Sequence, residues 1–171
     1  PTVGCVKTGI ALGSNIGARR TQIAAARDFV LSLHQGEEAP LCSGLYETEP
    51  VDCAPGTAAF LNAVVEIETS LEPPDLLQKL RDYEQASGRN EHRAKNSSRE
   101  IDLDLLYADN LRLASPALVL PHPRMTSRRF VLQPLSDICA DLVLPGQSAS
   151  IAQLLSALPP EPAVRLVARD W

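Results

Sequence analysis

The order in which hydrophobic periodicity changes along this chain restricts its fold more than any other feature. Val6, Thr8, Ile10 and Leu12 alternate with Lys7, Gly9 and Ala11, the period of a strand, and the run stops at Gly13-Ser14-Asn15. From Thr21 the apolar positions Ile23, Ala26, Val30 and Leu33 take helical spacing, closed by Gly36. Leu41 to Glu47 and Phe60 to Thr69 return to strand character as antiparallel neighbours, separated by a loop from Pro50 to Gly56. Pro73 and Pro74 suit a first helical turn, Asp75 complements its dipole, and Leu76, Leu77, Leu80 and Tyr83 make an inward stripe ending before Gly88. After the polar run Arg89 to Ser98, which reads as a solvated loop, comes another strand, REIDLDLLYA.

The resulting β-α-β-β-α-β order predicts an α+β, ferredoxin-like sandwich, with the helices on one face of an antiparallel sheet. Beyond it, Asp109-Asn110 predicts a hairpin turn into Leu111 to Leu113, and LVLPHP a short extended piece. Met125 to Ile138 reads as a helix interrupted at Pro134, and SIAQLLSAL as a last short helix in a C-terminal extension. At 171 residues the chain is expected to form one domain, residues 1–171.

Charge and cysteine usage narrow the function classes. A net charge of −5 argues against general nucleic-acid binding, which needs a basic surface to displace counterions. Yet residues 89–129 hold eight basic side chains against five acids, a local +3, which suits a small polyanion better than a long one. No apolar run approaches the roughly 20 residues that span a bilayer, so no membrane partner is expected. Cys5, Cys42, Cys53 and Cys139 form no CxxC pair, and reduced thiols in a cytoplasm fit that spacing.

The sharpest chemical feature is Ile101-Asp102-Leu103-Asp104-Leu105. Alternation puts both carboxylates on one strand face, their Cα atoms about 6.6 Å apart at a rise of ~3.3 Å per residue. Two anions held side by side repel, and Mg²⁺ shared with substrate phosphates relieves that repulsion. A bare DxD on a half-solvated strand is common by chance. Here, though, Arg99 lies three residues before Asp102 and the loop carrying Arg93 precedes it, so acids for a metal and bases for a phosphate meet at one strand end, as phosphoryl transfer requires.

Glu84 continues the Leu76, Leu80 row at i+4 spacing in the last turn of its helix, where the dipole disfavours an anion; it either contacts a ligand or pairs with Arg81 or Arg89. Asn62 interrupts an otherwise apolar strand, and a buried amide must be hydrogen-bonded, either to a loop or to a heterocycle edge. Phe60 shares its face, an arrangement for stacking a ring and reading its edge. His122, between Pro121 and Pro123 and followed by Arg124, Arg128 and Arg129, could bind phosphate or cap the following helix. Gly13-Ser14-Asn15-Ile16-Gly17 lacks the ending of a P-loop and reads as turn chemistry.

Taken together, ALGSNIG, YETEPV, FLNAVVEIETSLEPPDLL, EQASGR, REIDLDLLY and LVLPHPRMTSRRFVLQPL resemble the 6-hydroxymethyl-7,8-dihydropterin pyrophosphokinase family of the folate pathway, to about Leu144. The resemblance implies transfer of a pyrophosphoryl group from ATP to the pterin hydroxymethyl oxygen, with AMP leaving and two Mg²⁺ ions required. It implies that Asp102 and Asp104 hold the metals and that Arg99 stabilises the transferred group. Phe60 and Phe130 would sandwich the pterin, with Asn62 and the backbone near Thr48 and Val51 reading its edge. Glu84, Arg93, His122 and Arg128 would lie on the nucleotide side, with residues 90–98 closing as a lid. The family's usual lid arginine, lid tryptophan, Gly-Pro pair and a further arginine are replaced here by Glu91, Asn96, Ser97-Ser98 and Ala117. Partners are then ATP and the pterin, acting on a monomer. Two alternatives remain: a non-catalytic ferredoxin-like module that binds a small ligand, and a DxD nucleotidyltransferase that would release pyrophosphate.

Overall fold

A computed structural model describes residues 4–50, 56, 58–88 and 100–171. Its elements are β1 (Val6–Ser14), α1 (Arg19–Ser32), β2 (Leu41–Cys42), β3 (Leu45–Thr48), β4 (Phe60–Thr69), α2 (Pro73–Ser87), β5 (Asp102–Ala108), β6 (Leu113–Ala114), β7 (Val119–Leu120), α3 (Arg129–Cys139), α4 (Ile151–Ala157) and β8 (Val164–Ala168). The main sheet runs β5-β1-β4-β3-β8, with β2 also pairing β4, and every pairing is antiparallel. That is the ferredoxin-like order expected from the periodicities, extended at one edge by β8. No helix among the described residues is long and apolar enough to cross a membrane.

Alternation along β1 and β4 sorts the apolar side chains onto two faces. Ile10, Leu12, Leu61, Ala63, Val65 and Ile67 pack with Ile23, Ala26 and Val30 of α1 and Leu76 and Leu80 of α2. On the opposite face Val64 packs with Val131, Leu132 and Leu135 of α3 and Ile151 of α4. The expectation of helices on one face therefore holds for α1 and α2 only. The sheet is covered on both sides because the chain after β5 supplies a third, strongly amphipathic helix.

Local structure departs from the sequence reading elsewhere. Leu41 to Glu47 is two strands, because Ser43 takes over the local pairing: its Oγ accepts from Val64 N–H at 2.9 Å and its N–H donates to the Val64 carbonyl at 3.0 Å. The turn at Asp109 does not fold Leu111 to Leu113 back onto β5. The outer edge of β5 is already met by the segment after β7, where His122 N–H donates to the Leu106 carbonyl at 2.7 Å, and β6 pairs with β7 in a separate two-stranded sheet. Pro134 does not interrupt α3 but lies buried inside it. A mid-helix proline costs roughly 3 kcal/mol, and burial of Val131, Leu132 and Leu135 around it offsets that at ~1.5–3 kcal/mol per side chain. Finally, β8 carries no alternation strong enough to separate it from a loop; pairing with β3 decides its structure.

One polar cluster lies under α3. Tyr107, buried at 2% exposure, donates its hydroxyl to Glu66, which also accepts from Cys139 Sγ at 3.2 Å. The ring fits because Gly9 is its partner across β1 and β5; a Cβ there would collide with the ring. Burial, reinforced by the Glu66 charge, raises the Tyr107 hydroxyl well above its usual range and the Cys139 thiol to about 11. Raised acid pKa values disfavour the ionised forms in the folded chain, so this stabilisation is complete below the unfolded values and fades as pH rises through and beyond them. We expect Tyr107→Phe to lower stability at pH 7 by about 1–3 kcal/mol and to flatten the alkaline decline in melting temperature. A thermal denaturation series from pH 7 to pH 11 checks both; an unchanged alkaline slope would contradict the assignment.

Candidate active site

The register of the sheet assembles the site. Gly13 pairs with Asn62 on one side and Asp102 on the other, while Ala11 pairs with Val64 and Asp104. Ala11, Gly13, Asn62, Asp102 and Asp104 thus share the face toward α3, with Phe60 one alternation from Asn62. With no side chain at Gly13 the sheet surface stays open between the amide and the carboxylates; a Cβ there would sit 3.4 Å from Asn62 Nδ2.

Over this surface lies a cleft of about 410 Å³ lined by Ala11, Leu12, Gly13, Thr48, Glu49, Pro50, Phe60, Asn62, Ala63, Asp102, Asp104, Arg128, Phe130, Val131 and Pro162. Phe60 opens β4 and Phe130 lies in the first turn of α3, so two half-buried rings from opposite layers face one space. Asn62 is buried, and its Oδ1 accepts from the Thr48 hydroxyl at 2.9 Å, which fixes the amide orientation. The Arg128 guanidinium lies 5.5 Å from the Phe130 ring centroid, tying the cation to the aromatic end of the cleft. The backbone before Phe60 is anchored from outside, since Arg19 donates to the Ala59 carbonyl and pairs with Glu47.

The two carboxylates project from an exposed and a half-buried position of a strand whose outer edge is held. Glu84, in the last turn of α2, is buried, and its Oε1 accepts from the Leu103 N–H at 2.7 Å, between Asp102 and Asp104 in sequence. The Arg81 guanidinium meets both oxygens of the same carboxylate at 3.0 and 2.9 Å. Further along the edge is His122, in electrostatic reach of Asp104; burial holds its imidazole below the usual range, opposed by Asp104 and assisted by Arg128 and Arg124.

The structure therefore brings Thr48, Phe60, Asn62, Phe130, Asp102, Asp104 and Arg128 into one cleft and sets His122 beside it. Glu84 does not line the cleft but binds the strand that carries the acids. Val51, Arg93, Arg99 and the expected lid, residues 90–98, lie outside the described residues. Among the described residues no group of three or more His, Cys, Asp or Glu side chains gathers to hold a metal. Two hard carboxylates on one face do fit Mg²⁺, which keeps waters and takes its other oxygens from phosphates. Sequence reasoning missed Ala11 and Gly13 as cleft floor, although the small residues Gly9, Ala11 and Gly13 opposite Ile10 and Leu12 were the available signal. It also missed Pro162, for which no sequence signal existed.

Residues 9–140 match the family model described as 7,8-dihydro-6-hydroxymethylpterin-pyrophosphokinase (HPPK). The chain is 40% identical over 146 residues to a Bacillus subtilis protein named 2-amino-4-hydroxy-6-hydroxymethyldihydropteridine pyrophosphokinase, covering 84% of each chain. It is 38% identical over 157 residues to a Pseudomonas aeruginosa protein of the same name, covering 92% of this chain and 94% of that one. Among solved structures, wild-type Plasmodium falciparum HPPK-DHPS with pteroate superposes with a TM-score of 0.67 at 14% identity, covering 89% of this chain. That likeness concerns the fold alone, and this chain spans 42% of that longer one.

Proposed function

Because the chain belongs to the 7,8-dihydro-6-hydroxymethylpterin-pyrophosphokinase family, we propose that its cleft binds the pterin between Phe60 and Phe130 and the ATP phosphates over Asp102 and Asp104. The reaction is an ATP-dependent pyrophosphoryl transfer of folate biosynthesis. The hydroxymethyl oxygen of 6-hydroxymethyl-7,8-dihydropterin forms a bond to the β-phosphorus of ATP, the bond from that phosphorus to the α–β bridging oxygen breaks, AMP leaves with the electron pair, and the hydroxyl proton is released.

The observation that carries this reading is the continuity of the cleft from an aromatic and amide end, where Arg128 lies beside Phe130, to a carboxylate end. Flat heterocycles stack between rings, and an amide held by Thr48 offers a fixed edge for hydrogen bonding. Asp102 and Asp104 are the residues that would hold Mg²⁺, two ions by resemblance to the family, and the bound metal would supply neutralisation of the phosphate charge. Arg128 contributes positive charge beside the transferred group, and a neutral His122 can accept or donate a hydrogen bond on the nucleotide side. Glu84 keeps β5 in place, while Arg93, Arg99 and Val51 complete the set expected from the resemblance.

We also read residues 1–171 as one pyrophosphokinase domain acting as a monomer. Free thiols at Cys5, Cys42 and Cys139 suit a cytoplasmic setting. Phosphorus NMR of the protein with ATP, Mg²⁺ and 6-hydroxymethyl-7,8-dihydropterin tests the reaction. AMP and pterin diphosphate are expected in equal amounts, and neither after metal chelation. ADP as the main product would indicate an ordinary kinase, free pyrophosphate a nucleotidyl transfer, and no ATP consumption a binding module.

A further inference from the structure

Residues 158–168 fall beyond the family match, which ends at residue 140, yet one of them, Pro162, lines the cleft. Two anchors fix this segment. At one end β8 pairs with β3, placing Val164 opposite Thr48 and Arg165 opposite Glu47, and the Arg165 guanidinium meets the Glu47 carboxylate at 2.7 Å. At the other end Arg129 donates from Nε to the Pro159 carbonyl and from a terminal nitrogen to the Leu158 carbonyl, both at 3.0 Å. Between the anchors Pro162 lines the cleft together with Glu49 and Pro50.

We propose that this C-terminal segment is a fixed outer wall of the pterin half of the cleft, and that Arg129 is the positioning residue that holds it. The inference rests on the pterin reading above. Arg129 stands between Arg128 and Phe130 at the start of α3, so the helical turn that presents the stacking ring also sets the wall's distance from it. An arginine fork reaches two successive carbonyls at once, whereas a lysine presents a point charge on a flexible stem and cannot reproduce that geometry. Pro162 has no N–H to donate, so the wall offers an apolar surface that bounds a flat ring without competing for its polar edge. The phosphate end, at Asp102 and Asp104 on β5, stands at the opposite edge of the sheet from β8.

Steady-state kinetics of Arg129→Ala, Arg129→Lys, Pro162→Ala and the Arg129→Ala/Pro162→Ala pair test this, with melting temperatures measured alongside. Arg129→Ala is expected to raise the pterin KM about tenfold, equivalent to roughly 1.4 kcal/mol. Its kcat and ATP KM should stay within about twofold, the pattern of lost binding that is uniform through the reaction. Arg129→Lys should recover little of the loss. Pro162→Ala should raise the same KM, and the double variant should show less than the product of the single effects, because both changes act through one wall. Equal rises in pterin and ATP KM, or fully multiplicative effects, would overturn the wall. Should Arg129→Ala fail to fold, an unchanged pterin KM in Pro162→Ala overturns it alone. A wild type that does not turn over pterin would instead remove the functional reading, and the wall with it.

Discussion

Asp102→Asn and Asp104→Asn should each lose at least about a hundredfold in turnover, a typical order for an electrostatic catalytic group, while melting close to wild type. The asymmetry follows from where the acids stand. Neither side chain is part of either hydrophobic cluster; Asp102 is exposed and Asp104 half-buried. The strand beneath them is held by other residues. Gly13 and Ala11 pair with it on one edge, and on the other edge Glu84 accepts from Leu103 N–H while His122 N–H donates to the Leu106 carbonyl. Asparagine has the same shape as aspartate, so the backbone and the cleft stay as they are and only the negative charge is removed. That charge is what a divalent cation and the phosphates it accompanies require. Turnover measured with saturating ATP and pterin, a melting curve and a titration with magnesium and ATP separate the effects. Full activity in either variant would end the two-carboxylate assignment, and a large fall in melting temperature would mean the acids are structural.

How far the sequence revealed this site depends on whether a residue's neighbours are set by local periodicity or by tertiary pairing. Asp102 and Asp104 were readable because two residues apart in a strand fixes a shared face whatever the strand pairs with. Phe60 and Asn62 were readable for the same reason. Glu84 was readable as an anomaly, a carboxylate on an apolar row, and Arg81 was among its expected partners, but its bond to the strand was not: Leu103 N–H becomes available only because β5 is an edge strand, a fact of sheet order. The misplaced hairpin after Asp109 has the same origin. A turn dipeptide signals a reversal, but which segment then meets β5 was decided by His122, thirteen residues on. Pro134 shows the converse error, where a local rule about helix interiors was outweighed by burial of the apolar face around it. β8 and Pro162 had no local signal at all, since the edge of β3 and the fork of Arg129 decide their positions.

Phe60→Ala and Phe130→Ala should each weaken pterin binding by ~1–3 kcal/mol, the range for a base-like ring stacked on an aromatic side chain, while ATP affinity stays nearly unchanged. Calorimetric titration with each ligand is the measurement. Phe60 is the cleaner variant, because Arg19 holds the Ala59 carbonyl and Asn62 keeps its bond to Thr48 when the ring is removed. Phe130 carries a second contact, since Arg128 rests on its ring, so truncation also removes the support of that guanidinium. Phe130→Leu separates the two roles: it keeps apolar bulk against Val131 but offers neither a flat stacking face nor a π-surface for the guanidinium. If stacking dominates, Phe130→Leu loses nearly as much pterin affinity as Phe130→Ala. If packing dominates, leucine recovers most of it. Equal losses for ATP and pterin in Phe60→Ala would show a general folding defect and remove the aromatic sandwich from the site.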